Sequence, residues 1–278
     1  MTEKTLGNKM INIPDKYIMI FLLFLLCIPL LYPIGIPFPI SEDTRKFYNA
    51  VDALQPGDKV FYAFDASTGT WMEQGLGATI VMNHLMMKEG ITIIGASVAA
   101  EGPAFWDGCI EDVGTYDKEY GKDFVWLGFF AGDEAGAAAL ANNLIGITGG
   151  LDAYGNSLSD LSAMDGIEKP EDFDIVINLS YGSTYGYWLR QWTDPRNMPL
   201  YVMPLSAVAV EMRPLVESGQ VNSIIAGAVG AAEYEMLLGL PGRAVSGLDA
   251  QNVGHLYVII LMIVSNIGHY ISRNNGGN

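Results

Sequence analysis

The chain has 278 residues, 50% of them apolar and only 17% charged, with a formal net charge of −16. Its pI is near 4.4 and its mean hydropathy is +0.24, which places it on the membrane side of ordinary globular composition. With no basic patch to neutralise phosphates, nucleic acid is excluded as a partner, while the acidity suits an exposed, self-repelling domain.

The polar segment 1–16 carries Lys4, Lys9 and Lys16 and reads as a cytoplasmic tail. Residues 17–40 follow, "YIMIFLLFLLCIPLLYPIGIPFPI", without a charge in 24 positions. About 20 helical residues span a bilayer core, so this run is expected to be a transmembrane anchor. It exceeds the apolar stretch of a signal peptide, and no A-x-A-like cleavage site follows it. Pro29, Pro33, Pro37 and Pro39 predict that the helix ends or kinks near the far interface.

From 41 to 253 short apolar runs alternate with helical patterns. Strands are expected at 59–64, 91–97, 124–130, 173–180, 199–205 and 221–228, and helices at 71–89, 101–119, 133–145, 184–193, 207–218 and 230–238. The strand runs are almost continuously apolar, as in a sheet covered on both faces. The expected fold is therefore α/β, a doubly wound, mostly parallel sheet of about six strands, Rossmann-like, flanked by an N-terminal and a C-terminal transmembrane helix. Residues 148–172, rich in glycine and aspartate, read as an insertion between two halves of three strands each.

Ligands in such sheets sit beyond the carboxyl ends of the strands. That rule selects Asp65 and Ser67 after the first strand, Glu101 after the second, and Asp133 and Glu134 after the third. It adds Ser180, Tyr181, Ser183, Thr184 and Tyr185 after the fourth, where "LSYGSTYGYW" gathers hydroxyls and rings in one turn. Asp65, Ser67, Asp133 and Ser183 also stand where helix N-caps belong, so capping is the competing reading for each. His84 is expected in mid-helix and not beside Ser183, which disfavours a Ser-His-Asp hydrolase.

The turn "AGAVGAAEYEMLLG", Ala226–Gly239, has neither G-x-G-x-x-G spacing nor a G-K-[ST]. Glu233 and Glu235 lie early in its helix, where their charge opposes an incoming phosphate, and at most one of them can face a cleft. The loop reads as structural or cation-preferring, with Glu233 as a ligand candidate. No cofactor is expected. Cys27 and Cys109 imply no disulfide, and the three histidines have no zinc-site spacing, so no metal is expected either.

Residues 254–271, "GHLYVIILMIVSNIGHYI", are expected to form a second transmembrane helix before the tail 272–278. His255, Ile259, Met262, Asn266 and His269 fall in one helical stripe, so His255, Asn266 and His269 are candidates for helix–helix contact within the membrane. The competing reading puts the two histidines at the interfaces. The first segment holds no side chain to meet Asn266, which points to a homo-oligomer or a membrane-protein partner. The flanking lysines and arginines favour cytoplasmic termini and an extracytoplasmic domain.

The segments "EYGKDFVWLGFFAGDEA", "GAAEYEMLLGLPGRA" and "LDAQNVGHLYVI" resemble a prokaryotic family of membrane-anchored α/β proteins. The resemblance implies the anchor–domain–anchor layout and carries no activity, cofactor or site. The expected function is an oligomeric subunit or scaffold of a membrane complex that binds a partner or small ligand. The alternatives are a membrane-anchored enzyme, with Asp65 as base, Ser183 as substrate contact and Glu101 or Glu134 as second acid, and a sensor signalling between its anchors.

Overall fold

Residues Lys59–Asp65 form β1, and every position after Lys59 is buried. Around this strand the computed structural model, which describes residues 6–275, builds a six-stranded sheet in the order β3-β2-β1-β4-β5-β6. Its other strands are β2 (Thr92–Ser97), β3 (Phe124–Phe129), β4 (Ile175–Ser180), β5 (Leu200–Pro204) and β6 (Ser223–Ile224). All pairings are parallel. The expected strands are all present, but the last is two residues long and not eight, because Gly227 turns to φ +54° and starts a helix.

In chain order the first helices are α1 (Leu6–Ile11), α2 (Asp15–Leu31), α3 (Glu42–Asp52), α4 (Leu76–Met87) and α5 (Gly102–Val113). Then come α6 (Glu134–Asn142), α7 (Leu144–Ile147), α8 (Tyr185–Trp188), α9 (Ser206–Ala209) and α10 (Arg213–Glu217). The last two are α11 (Gly227–Leu238) and α12 (Arg243–Asn275). The chain divides into two compact units, Pro39–Leu240 and a second unit made of residues through Phe38 with those from Pro241.

In the first unit, side chains alternate between two cores, as the period of a strand requires. Tyr62 and Phe64 meet Phe47 of α3, Leu85 of α4, Trp106 of α5 and Tyr234 of α11. Phe61 and Ala63 meet Leu140 of α6, Trp188 of α8, Trp192 and Met212 on the other face. The insertion 148–172 adds Leu158 and Met164 to this second core. Its glycines and aspartates serve turns: Asp152 accepts the Tyr154 and Asn156 amides at 2.9 and 2.8 Å, and the Tyr120 hydroxyl at 2.7 Å.

Helix α3 was not expected, since "EDTRKFYNAVD" is largely polar. It buries Phe47 and Val51 on one face and is capped by Ser41, whose Oγ accepts the Thr44 amide at 3.2 Å. Several expected helices are shorter or broken. The pattern 101–119 stops at Val113, because Gly114 takes φ +74°. The pattern 207–218 divides into α9 and α10, and Pro214 stands in the first turn of α10. The helical segments after β1 and β4, the two central strands, contain π-helical turns at Trp71–Gly75 and Leu189–Thr193.

In the second unit, among the described residues, one helix is long and apolar enough to cross a membrane, Arg243–Arg273 within α12. The expected N-terminal anchor over 17–40 is corrected. Helix α2 has 17 residues and ends at Leu31, with Tyr32 already extended at φ −139°. At 1.5 Å per residue it is about 25 Å long, short of a hydrocarbon core of about 30 Å. The prolines at 33, 37 and 39 keep the remaining apolar residues out of the helix.

Helix α12 also starts eleven residues before the expected 254. Its polar first turns count with the expected soluble domain, up to 253, but their polarity is met inside this unit. Asp249, fully buried, accepts the backbone amides of Ile34, Gly35 and Ile36 at 2.7, 2.8 and 3.1 Å.

Helices α2 and α12 are antiparallel. The Tyr257 hydroxyl donates to the Ile18 carbonyl at 3.0 Å, Phe21 packs on Tyr257 at 5.6 Å, Gly254 faces Leu26, and Gly268 faces Met10. The apolar run of α2 therefore lies beside roughly residues 247–261 of α12. It is offset by about 10 Å from the run 254–271 at a rise of 1.5 Å per residue. At the far end α1 crosses α12 so closely that a Cβ on Gly7 would sit 2.6 Å from the Gly268 carbonyl.

Candidate functional site

The strand order reverses between β1 and β4, so the crevice that binds ligands in open α/β sheets belongs at the carboxyl ends of these two strands. Asp65 ends β1 there and is wholly enclosed. Its Oδ1 accepts the Val98 amide at 2.7 Å and the Ser97 hydroxyl at 3.1 Å. Its Oδ2 accepts the Asn178 amide at 2.9 Å and the Trp188 indole N–H. Burial outweighs these four donors and raises the carboxyl pKa to about 6. Asp65 is thus no helix cap. It ties β1, the end of β2, β4 and α8 into one knot.

The neighbouring polar groups are engaged as fully. Ser180 Oγ lies 2.9 Å from Thr184 Oγ1 and accepts the Tyr185 amide at 2.9 Å. Gln74, in the π-helical turn after β1, donates to the carbonyls of Ser180 and Met203 at 2.5 and 3.2 Å and accepts from Thr70 at 2.7 Å. Glu101 accepts the Thr68 amide and has the Ser67 hydroxyl 3.4 Å from its oxygens. Those hydrogen bonds from Thr68 lower its pKa. Tyr181 donates its amide to the Asp65 carbonyl at 2.6 Å and exposes its ring.

The strand ends therefore bring together Asp65, Ser67, Glu101, Ser180 and Tyr181. Ser183 stands at the rim, exposed. It does not cap, since Ser180 takes the Tyr185 amide in its place. Tyr185 packs partly into the second core.

Asp133 precedes α6 at φ +51° and makes no side-chain cap bond, so the capping reading fails there too. Glu134 is held by Arg190 at 2.9 and 2.7 Å and by Gln191 at 2.9 Å, which lowers its pKa to about 2. Glu233 lies buried in the second turn of α11, where it accepts the Ser41 hydroxyl. It serves the docking of α3 and not the strand-end crevice.

The glycine turn before α11 is closed by the chain itself. Glu73 accepts the Ser206 amide at 2.6 Å, and a Cβ on Gly227 would stand 2.6 Å from the same carboxylate oxygen. An internal carboxylate thus lies against the start of α11, where a phosphate would otherwise be attracted. Gly230 allows close packing, since its Cβ would meet Ile225 at 3.0 Å.

Sequence reasoning missed Glu73, Gln74, Asn178 and Trp188. A signal existed for Asn178: it is the single amide in "IVINLS" and shares a strand face with Ser180. Gln74 and Glu73 lay in a segment read as regular helix.

His84, in α4, is buried, stacked on Tyr48 at 5.0 Å and joined through Nδ1 to the Tyr234 hydroxyl at 2.9 Å. Burial lowers its pKa. Cys109 is buried beside Thr79, and burial pushes its thiol up to about 12. Among the described residues no group of three or more His, Cys, Asp or Glu could hold a metal ion.

On α12, His255, Asn266 and His269 are exposed, on a different face from Gly254, Tyr257 and Gly268, which meet α1 and α2. The Asn266 amide donates to the Met262 carbonyl of its own helix at 2.9 Å. The polar stripe is therefore free of the first segment, and its amide is in part satisfied locally.

No protein-family model matches this chain, and no curated protein is similar to it.

Proposed function

We propose that this chain is a membrane-anchored α/β subunit or scaffold that assembles with copies of itself or a membrane partner and offers its strand-end face to a partner or small ligand. The observation that carries this reading is the enclosure of Asp65. Where a general base would stand, each carboxylate oxygen already accepts two hydrogen bonds and the carboxylate itself is closed to water. The alternative enzyme, with Asp65 as base and Ser183 as contact, would have to break this knot in every turnover.

The placement follows charge. The unit Pro39–Leu240 holds 28 of the 31 acidic residues and 10 of the 15 basic ones, net −18, which leaves the terminal unit with three acids and five bases. Lys9 and Arg273 lie at one end of the helical pair, because α1 packs beside residues 268–272 of α12. That end faces the cytoplasm under the positive-inside rule, with α12 crossing the bilayer, α2 and the extended residues 32–36 held at Asp249 of α12 together making the second crossing, and the acidic domain outside.

A single engineered cysteine tests the placement. In a Cys27→Ser background, Ser159→Cys on the exposed insertion should react with a membrane-impermeant maleimide in intact cells. Labelling seen only after lysis reverses the orientation, and release of the protein by carbonate washing removes the membrane reading altogether.

A further inference from the structure

At the amino end of β2, opposite the strand-end crevice, lies a cavity of about 320 Å³ lined by Met87, Lys88, Glu89, Tyr116, Asp117 and Lys118. Lys118 is 8% exposed, a rare state for an amine without a carboxylate partner. Its Nζ donates to the Ile91 carbonyl at 3.1 Å, and among the described residues no carboxylate lies within ion-pair distance of it. The other charges of the cavity are engaged or outward. Lys88 donates to the Asp52 carbonyl, Asp123 accepts the Glu119 amide at 2.9 Å, and Asp117 and Glu89 are exposed at the mouth. Tyr116, two residues before Lys118, takes φ +51°, which orders the turn that brings the amine inward.

An ammonium ion with one carbonyl acceptor is poorly compensated in such a place. We propose that Lys118 is a reactive amine that forms a reversible imine with a small carbonyl compound, an aldehyde or 2-oxo acid of a few heavy atoms, admitted by this cavity. The neutral amine attacks the carbonyl carbon, and the carbinolamine loses its oxygen as one water. The protons are exchanged with solvent at the mouth, beside Asp117 and Glu89. No redox change occurs, and hydrolysis returns both partners. Burial, opposed by the charge of Asp123, lowers the Lys118 pKa, which enlarges the neutral fraction at neutral pH.

The full chain in mild detergent is incubated at pH 7.5 with glyoxylate and limiting cyanoborohydride, which reduces any imine to a stable secondary amine, and each lysine is followed by peptide mass. Lys118 should be modified several-fold faster than the exposed Lys122. Its rate should also level off at lower pH than that of Lys122. Lys118→Met should remove the fast phase and leave the other lysines unchanged. Should that variant fail to fold, the ratio within the native chain still decides. Modification of Lys118 no faster than Lys122 overturns the proposal.

Discussion

Asn178 donates its side-chain amide to Asp65 at 2.9 Å and so joins the ends of β4 and β1 where the order of the sheet reverses. The oxygen of the same amide, Oδ1, is buried without a partner among the described residues. The crevice that fold geometry reserves for ligands is thus filled at its base by a polar knot belonging to the chain.

Asp65→Asn should destabilise the domain, because an amide nitrogen must face either the Trp188 and Asn178 donors or the Val98 and Ser97 donors. A loss of about 2–4 kcal/mol is expected in urea unfolding, from two broken charge-assisted bonds and a buried donor left unpaired. Asp65→Glu should not rescue it, since the site has no room for another methylene.

The pH dependence of the knot has a definite sign. The Asp65 pKa is raised from 3.8 to about 6, so the folded state holds a proton that the unfolded chain releases. This group's contribution is present below about pH 4, falls as pH rises toward 6, and is flat above, about 3 kcal/mol in all for a shift of two units. Chemical unfolding of the native chain and Asp65→Asn between pH 4 and 7 isolates it. The difference between the two should shrink over that window, and a constant difference would show that the four donors match the cost of burial.

The two cysteines should differ in reactivity. Cys109, wholly buried with its thiol pushed up to about 12, should resist maleimide in the folded chain, while Cys27 is exposed on α2. Mass spectrometry should find no adduct at Cys109 in the native chain and adducts at both cysteines in denaturant.

Asp249→Ala should free the segment 34–36 by removing its three backbone acceptances. Amide exchange at Ile34, Gly35 and Ile36 should quicken by ten- to a hundredfold, on the order of 1.4–2.8 kcal/mol of local stability. Exchange in β1 should not change.

Much of the sheet was legible because parallel strands buried on both faces leave continuous apolar runs, as in "VFYAF" and "IVINL". Helix ends were less so. Helix α3 buries only a few side chains through a polar sequence, and α12 extends through Ser246, Asp249 and Gln251 because contacts distant in sequence satisfy Asp249. In the site, position was readable and engagement was not. Asp65 and Ser180 stand where the strand ends predict, but only the fold shows that Asn178, Trp188 and Gln74 consume their hydrogen bonds. Asn266 looked unsatisfied in sequence, and the acceptor it finds is the Met262 carbonyl one turn away.

The Asn266 bond to its own helix lowers what the amide alone can add to association. Asn266→Leu should therefore reduce crosslinking between chains by no more than a few-fold, in keeping with interhelical bonds of about 0.6–2 kcal/mol in bilayers. A larger part should come from exposed apolar residues of α12, so Ile259→Ala with Met262→Ala should reduce it further while the acidic domain stays folded.

The assembly state in mild detergent tests the central claim most directly. Native mass measurement of the full chain, with crosslinking in membranes beside it, should give a species of at least two chains or a stable complex with a second membrane protein. A clean 30.1 kDa protein monomer in both settings would contradict the reading of this chain as a subunit or scaffold.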